Sequence, residues 1–151
     1  MSTRGFEFAY MLDGSNATPL IRDFKLNAAA AHKVGDLVTI GTAGDMIQQT
    51  VGTTEVTGVM QEPFAATEVT AGTTLGRVAV LMREQVWRCS MDATTTSLIV
   101  GYSKTLDILD CNTLDADGTI GSICLVDASE LDDEGNVLAY VVFSDTTFGN
   151  A

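Results

Sequence analysis

The stretch AAAAHKVGDLVTIG, residues 28–41, carries the strongest indication of the fold. Gly35 and Asp36 favour a turn, because glycine tolerates positive φ and aspartate hydrogen-bonds to nearby backbone groups. Leu37–Ile40 then combines apolar and β-branched residues, which favour a strand. Asp36 lacks the neighbouring side chains that catalysis or metal binding would require. We therefore interpret the stretch as the start of a buried strand and not as a ligand site.

Ahead of this turn, residues 25–33 (KLNAAAAHK) predict a turn or two of helix, with Asn27 as its cap and Gly35 as its stop. No other segment has a sustained helical period. About eight or nine short strand candidates, separated by turn signals every 8–12 residues or so, indicate a sandwich or barrel. The predicted fold class is therefore all-β: a compact β-sandwich or barrel with an extended N-terminal arm.

Two strand candidates are the most informative. Residues 76–89 (GRVAVLMREQVWRC) form the longest one, with Val78 and Ala79 on opposite faces and an expected bulge or turn near Glu84. Residues 136–144 (NVLAYVVFS) are apolar on both faces. That pattern is typical of a central strand covered on both sides.

The N-terminal residues differ from the rest of the chain. Aromatic residues alternate with others in a short strand-like pattern, and residues 13–19 (DGSNATP) are rich in turn formers. We divide the chain into an arm, residues 1–24, and a single β domain, residues 25–151. The candidate partner-binding residues of the arm are Phe6, Phe8, Tyr10 and Leu12. The alternative is that the aromatic residues complete the domain's own sheet.

The charge is strongly negative and unevenly distributed. The formal net charge is -12, and residues 92–151 contain a single base, Lys104. Such a surface repels phosphate backbones and anionic lipids, so we expect no nucleic-acid and no membrane partner. Two interpretations of the acidity stay open. It serves solubility or adaptation to salt, or it matches a basic partner surface.

Cysteine usage and the N-terminus point to a soluble protein made in a cytoplasm. Cys89, Cys111 and Cys124 are widely spaced and form no CxxC motif, so we expect buried free thiols in a reducing compartment. The opening MSTRGFEFAYML has no apolar signal core, and no apolar run approaches the length of a membrane-spanning helix.

Little in the sequence supports an enzyme. His32 is the only histidine, and we expect it to face solvent or to cap a segment. No nucleotide-binding glycine motif occurs. Paired carboxylates for sugar hydrolysis remain open, but Trp87 is the only tryptophan that could support a sugar ring. We predict no catalytic residues, no cofactor and no metal.

The acidic segment DADGTIG, residues 115–121, resembles part of a calcium loop. The template would place Thr113 first and Cys124 twelfth, and neither side chain is a carboxylate ligand. We expect a hairpin turn here, with an adventitious cation among Asp110, Asp115 and Asp117 as the alternative. Residues 132–137 (DDEGNV) likewise predict a hairpin turn.

The order of motifs between Val34 and Cys89 resembles the head-decoration, or cement, proteins of tailed bacteriophages. VGDLVTIG, VTGVMQE, AGTTLGRVAV and EQVWRC follow one another as in that family. The resemblance covers a little over a third of the chain. The residues that carry it are Lys33, Gly35, Asp36, Val38, Gly58, Val59, Ala71, Gly72, Val78, Val80 and Val86.

The resemblance implies a structural virion protein. Family members bind the major capsid protein on the outer surface of the head, commonly as trimers, and bridge capsomers to stabilise the mature capsid. Synthesis in the host bacterial cytoplasm and residence in the virion would follow. The alternatives are another virion β protein, such as a head-fibre or tail component, and a carbohydrate-binding β-sandwich module.

Overall fold

The computed structural model is all-β, as predicted. It describes residues 5–27, 29–40, 46–49, 56–82, 84–91, 101–111, 113–115 and 123–143. The strands in these ranges are β1 Glu7–Met11, β2 Ile21–Leu26, β3 Leu37–Ile40, β4 Met46–Gln49, β5 Gly58–Met60, β6 Leu75–Val80, β7 Gln85–Ser90, β8 Gly101–Asp110, β9 Thr113–Asp115, β10 Ile123–Leu131 and β11 Val137–Phe143. A short 3-10 turn covers Ala66–Glu68.

The strands form two bodies. Five of them close into a barrel in the order β2-β4-β3-β5-β6, and the other six form an open sheet in the order β1-β7-β11-β10-β8-β9. A parallel bridge between Met91 and Leu114 also joins β9 to the end of β7. The larger sheet therefore curls towards closure as well, with β1 as its outer strand.

Two apolar cores divide the side chains of the barrel strands between them. Val38, Met60 and Val78 point into the barrel. Their neighbours Leu37, Val59 and Ala79 point outward and join the core beneath the larger sheet. Since side chains alternate across a strand, each of these three strands contributes to both cores. The barrel wall is thus the layer on which the larger sheet packs.

The turn before β3 is built as the sequence predicts. Gly35 has a positive φ of 96°. The Asp36 carboxylate accepts the backbone N–H of Lys33 at 3.0 Å and the side-chain amide of Gln49 at 2.8 Å. Its backbone carbonyl accepts the N–H of Met60 at 2.8 Å. Asp36 is buried and serves the structure of the turn.

The helix predicted over residues 25–33 is wrong. β2 continues to Leu26, and no helix covers the described residues that follow it. The backbone groups there bond to other segments. Asn27 N–H donates to the carbonyl of Ile47, and His32 exchanges two backbone hydrogen bonds with Phe64. These long-range bonds outweigh the helix propensity of a short alanine run.

The longest strand candidate, residues 76–89, is two strands in different bodies. β6 ends at Val80 in the barrel, and β7 begins at Gln85 in the larger sheet. The predicted change of phase near Glu84 is confirmed. Val78 and Ala79 lie on opposite faces, also as predicted. The intervening corner is where the chain crosses from one body to the other.

β11 lies between β7 and β10 in the sheet, so its central position is confirmed. Its coverage is unequal. Val137, Ala139, Val141 and Phe143 are buried in the core. On the other face, Leu138 is buried, whereas Tyr140 and Val142 are partly buried. The predicted cover on both faces is therefore confirmed at Leu138 and incomplete at Tyr140 and Val142.

The N-terminal segment follows the alternative interpretation, in which its aromatic residues complete the domain's own sheet. β1 pairs antiparallel with β7, and β2 pairs with β6. Phe6 is 2% exposed and packs on Phe143 with ring centroids 5.7 Å apart. The prediction of an extended arm over residues 1–24 is therefore wrong for the described part of that segment, which belongs to the sheets. Burial of an aromatic ring outweighs the freedom that an arm would keep.

The predicted hairpin between β10 and β11 is confirmed. Asp132 accepts the backbone N–H groups of Glu134 and Asn136 through Oδ1, each at 2.9 Å. Gly135 takes a positive φ of 83°. The acidic segment, residues 115–121, lies outside the described residues beyond Asp115.

Candidate docking surface

The four predicted partner-binding residues occupy different environments. Phe6 is buried in the core. Phe8 is partly buried and packs edge-on against Trp87, with ring centroids 5.6 Å apart. Tyr10 and Leu12 are exposed by 45% and 51%. Two of the four, Tyr10 and Leu12, are thus well exposed, and Phe8 lines pockets on both sides of β1.

An apolar groove of about 380 Å³ runs along one side of β1, where the larger sheet meets the barrel. The floor of the groove is formed by core residues. Ile21 and Val34 form part of its lining and are each about half exposed. The lining residues are Phe6, Glu7, Phe8, Thr18, Pro19, Ile21, Val34, Gln61, Ala79 and Trp87. Exposed apolar surface that lines a concave site is typical of a binding groove.

A second pocket, of about 430 Å³, lies on the outer face of the larger sheet. A row of directly paired residues crosses four strands here: Glu7, Arg88, Tyr140 and Asp127. All of them except Glu7 line the pocket. The pocket residues are Phe8, Ala9, Tyr10, Arg88, Asp127, Glu130 and Tyr140. We call this pocket the aromatic–acidic pocket.

The charges in this pocket are arranged asymmetrically. The Arg88 guanidinium donates from Nη2 and Nε to one oxygen of Glu7, at 2.7 and 3.1 Å. The hydrogen bonds to Glu7 and then to the Tyr140 hydroxyl raise the pKa of Arg88. The Tyr140 hydroxyl also donates to Glu130 at 3.4 Å. The guanidinium of Arg88 is therefore already bound by side chains of the same protein, at the edge of a pocket rich in carboxylates.

The aromatic rings of the pocket come from two strands that do not pair. Tyr10 on β1 and Tyr140 on β11 lie with ring centroids 6.3 Å apart and ring planes 29° apart. β7 lies between these strands, with Tyr10 paired to Val86 and Tyr140 paired to Arg88, so the two rings meet above β7. Stacked tyrosines at this separation are in the attractive range for aromatic pairs.

His32 is buried, so the expectation of a solvent-facing histidine is wrong. It is 4% exposed and lies edge-on to Phe64, with ring centroids 6.4 Å apart. Burial lowers its pKa, and the nearby Asp36 charge partly opposes that shift. Among the described residues, its Nδ1 atom has no hydrogen-bond partner. The backbone pairing with Phe64 explains the position, because it fixes the ring at the end of the barrel.

Other reactive groups are dispersed over the described part of the chain. No group of three or more His, Cys, Asp or Glu side chains within it is arranged to hold a metal ion. All three cysteines are free thiols, and Cys89 is fully buried. Burial raises the pKa of Cys124. Trp87 is in the core, where its ring offers no platform to a sugar.

Within the same described ranges, no helix has the length and apolar character needed to cross a membrane.

The chain matches no family model and no curated protein.

Of the residues singled out in the sequence, Phe8 and Tyr10 line the aromatic–acidic pocket, Phe6 and Phe8 line the apolar groove, and Leu12 lines neither. The residues opposite β1 were missed. Arg88, Tyr140 and Glu130 come from strands far apart in the chain, and only the register of pairing brings them together. The local signals were two single residues: Arg88 is the one charged side chain of β7, and Tyr140 is the one side chain of β11 with a polar atom, which indicates positions that point away from the core.

Proposed function

We propose that this chain is a structural virion protein, a decoration or cement protein that binds the outer surface of a phage head and stabilises the mature capsid. The proposal is supported by the resemblance of the segment from Val34 to Cys89 to the cement proteins of tailed bacteriophages. Most of the residues that carry the resemblance lie in the barrel: the turn at Gly35 and Asp36, Val38 in β3, Gly58 and Val59 in β5, and two valines in β6. A compact barrel with a second sheet packed on it suits a protein that binds to a capsid surface and stabilises it.

The apolar groove beside β1 is the proposed contact with the major capsid protein. Ile21 and Val34 expose apolar surface there although most of the chain's large apolar side chains are buried. Burying about half of such a side chain contributes on the order of 1 kcal/mol. Among the strands that the structure describes, β1 is at the edge of its sheet, where a partner could add a strand.

Assembly into a homotrimer would multiply these moderate contacts. Several contacts held by one oligomer dissociate far more slowly than one, because each released contact rebinds at a high effective concentration. The protein would be synthesised in the host bacterial cytoplasm and would then join the virion.

Purified heads provide the test. The chain should cosediment with mature, expanded heads and not with immature heads, in hundreds of copies per particle. Ile21→Glu and Val34→Glu should each weaken attachment at least about tenfold, because a carboxylate would enter the apolar contact. Leu75→Glu is the matched control, since Leu75 is exposed to a similar degree at the other end of the β2–β6 pair.

Failure of the wild-type chain to bind any head would contradict the proposal. Equal loss with Leu75→Glu would reject the groove as the contact. A copy number near a dozen would instead favour the alternative of a head-fibre or tail component. Deleting residues 1–18 is unsuitable as a test, because it would remove β1 and the buried Phe6.

A further inference from the structure

We propose that the aromatic–acidic pocket on the outer face of the larger sheet binds an arginine or lysine side chain of a protein partner. The inference deepens the proposed function, because it rests on this chain being a docking protein and names the chemistry of the surface that it recognises. The apolar groove and this pocket lie on the two sides of β1 and share Phe8, so one partner surface can reach both.

The charge of the pocket and of the chain favours a basic ligand. Three carboxylates, those of Glu7, Asp127 and Glu130, and one guanidinium, that of Arg88, line or border the pocket. Arg88 is paired with Glu7 at 2.7 Å. Glu130 is exposed and accepts the Tyr140 hydroxyl at 3.4 Å, so its negative charge faces an incoming group. The whole chain, with a net charge of -12, adds to the attraction of a basic group.

The tyrosine rings of the pocket also favour a cation. Tyr10 and Tyr140 are stacked, and Tyr10 is nearly half exposed, so aromatic faces border the cavity. A cation over a tyrosine face is attracted by the ring quadrupole. The Tyr140 hydroxyl donates to Glu130, which places a carboxylate at the edge of the ring. A guanidinium can stack on such a ring and donate to that carboxylate at once, as its planar group of donors requires.

The size and openness of the site fit a side chain from another protein. The cavity of about 430 Å³ is on the solvent-facing side of the sheet, above strands β1, β7, β11 and β10. A neutral sugar would also stack on tyrosine, but it would gain nothing from the negative charges of Glu130 and of the whole chain. A nucleic acid would be repelled by them. The balance of charge therefore selects a basic peptide segment.

Two capped peptides give a direct test on the whole chain: acetyl-Gly-Arg-Gly-amide, and the same peptide with neutral citrulline in place of arginine. With an isotope-labelled protein, the arginine peptide should shift the backbone amide signals of Ala9, Arg88, Asp127 and Tyr140. The citrulline peptide should bind at least about tenfold more weakly, and about 0.5 M salt should weaken the arginine peptide severalfold.

The variants are placed at exposed positions, where a substitution should leave the fold intact. Glu130→Gln and Tyr10→Leu should each reduce binding of the arginine peptide by at least about threefold, and the double variant by more. Asp23→Asn is the matched control, because it removes an exposed carboxylate from β2 of the barrel, and it should bind as the wild type does.

Binding of the citrulline peptide equal to that of the arginine peptide would overturn the inference. So would shifts elsewhere on the protein, or the same loss with Asp23→Asn. Binding of maltohexaose or chitohexaose in the pocket in place of the arginine peptide would assign it to carbohydrate instead. Head binding separates the two proposals: attachment without peptide binding rejects only the pocket, and peptide binding without attachment rejects only the decoration role.

Discussion

The side-chain oxygen of Gln85 accepts the indole N–H of Trp87 at 3.2 Å, within the buried start of β7. The same oxygen accepts the backbone N–H of Met82 at 3.0 Å, and the Gln85 amide donates to the carbonyl of Val80 at 3.2 Å. One side chain thus satisfies the backbone of the corner at which the chain leaves the barrel and enters the larger sheet. Buried polar groups need such partners, because each one left unpaired costs free energy.

Gln85→Met should therefore destabilise the protein by about 2–4 kcal/mol, since it keeps the volume but leaves the corner groups without partners. The free energy of unfolding in urea measures the change. Gln48→Met is the matched control, because Gln48 is exposed and accepts a single hydrogen bond from Asn27. Similar losses in both variants would show that the corner does not depend on Gln85.

Asp36→Ala should cost about 2–3 kcal/mol, because the buried carboxylate accepts the N–H of Lys33 and the amide of Gln49. Asp36→Asn should cost less, since one acceptor oxygen remains. Urea unfolding again provides the measurement, with Asp23→Ala on the exposed face of β2 as control. An Asp36→Ala variant as stable as that control would mean that the turn before β3 forms without its carboxylate.

Gly58→Ala should destabilise the barrel by about 2–3 kcal/mol, because the added methyl group overpacks a closed site. A Cβ atom at this position would lie 2.3 Å from Val78 Cγ1 and 2.5 Å from the carbonyl oxygen of Ala79. Gly76→Ala is the control: its Cβ would meet only side-chain atoms of Leu26 and Met60, at 3.2 Å or more. The melting temperature should fall clearly further for Gly58→Ala, and equal decreases would contradict this account.

His32 makes stability depend on pH. Burial lowers its pKa in the folded protein below the ordinary value of 6.5, so the unfolded chain binds the proton more tightly. The contribution of the neutral ring is complete above about pH 6.5 and is lost as the pH falls towards the lowered pKa of the folded state. His32→Leu should flatten this part of the curve of unfolding free energy against pH.

The comparison of slopes is the deciding measurement, because His32→Leu also changes the absolute stability. A slope that differs between the two proteins in this range is assigned to the ring at position 32. If the slopes of the wild type and the variant between about pH 5.5 and pH 7 coincide, His32 is not the group responsible.

Local features were predictable from the sequence. The turn at Gly35 and Asp36, the corner near Glu84 and the hairpin after Leu131 depend on residues close together in the chain, and all three are present. The alternation of Val78 and Ala79 was also evident, because a strand has a period of two residues. What the pattern could not reveal is that the two faces serve different cores.

Non-local pairing explains the errors. The ion pair between Glu7 and Arg88 joins residues 81 positions apart, and no local pattern in β1 identifies β7 as its partner. The N-terminal segment was therefore assigned to an arm, although Phe6 is in the core. The same limit hid the aromatic–acidic pocket, because the register of four strands assembles it.

The alternation of side chains between the two cores couples the unfolding of the barrel to that of the larger sheet. Leu37, Val59 and Ala79 cannot leave the core of the larger sheet unless β3, β5 and β6 move, and those strands carry the interior of the barrel. Neither body can lose its order while the other keeps its own. Heating should therefore give a single cooperative transition, and force applied to one body should be borne by both.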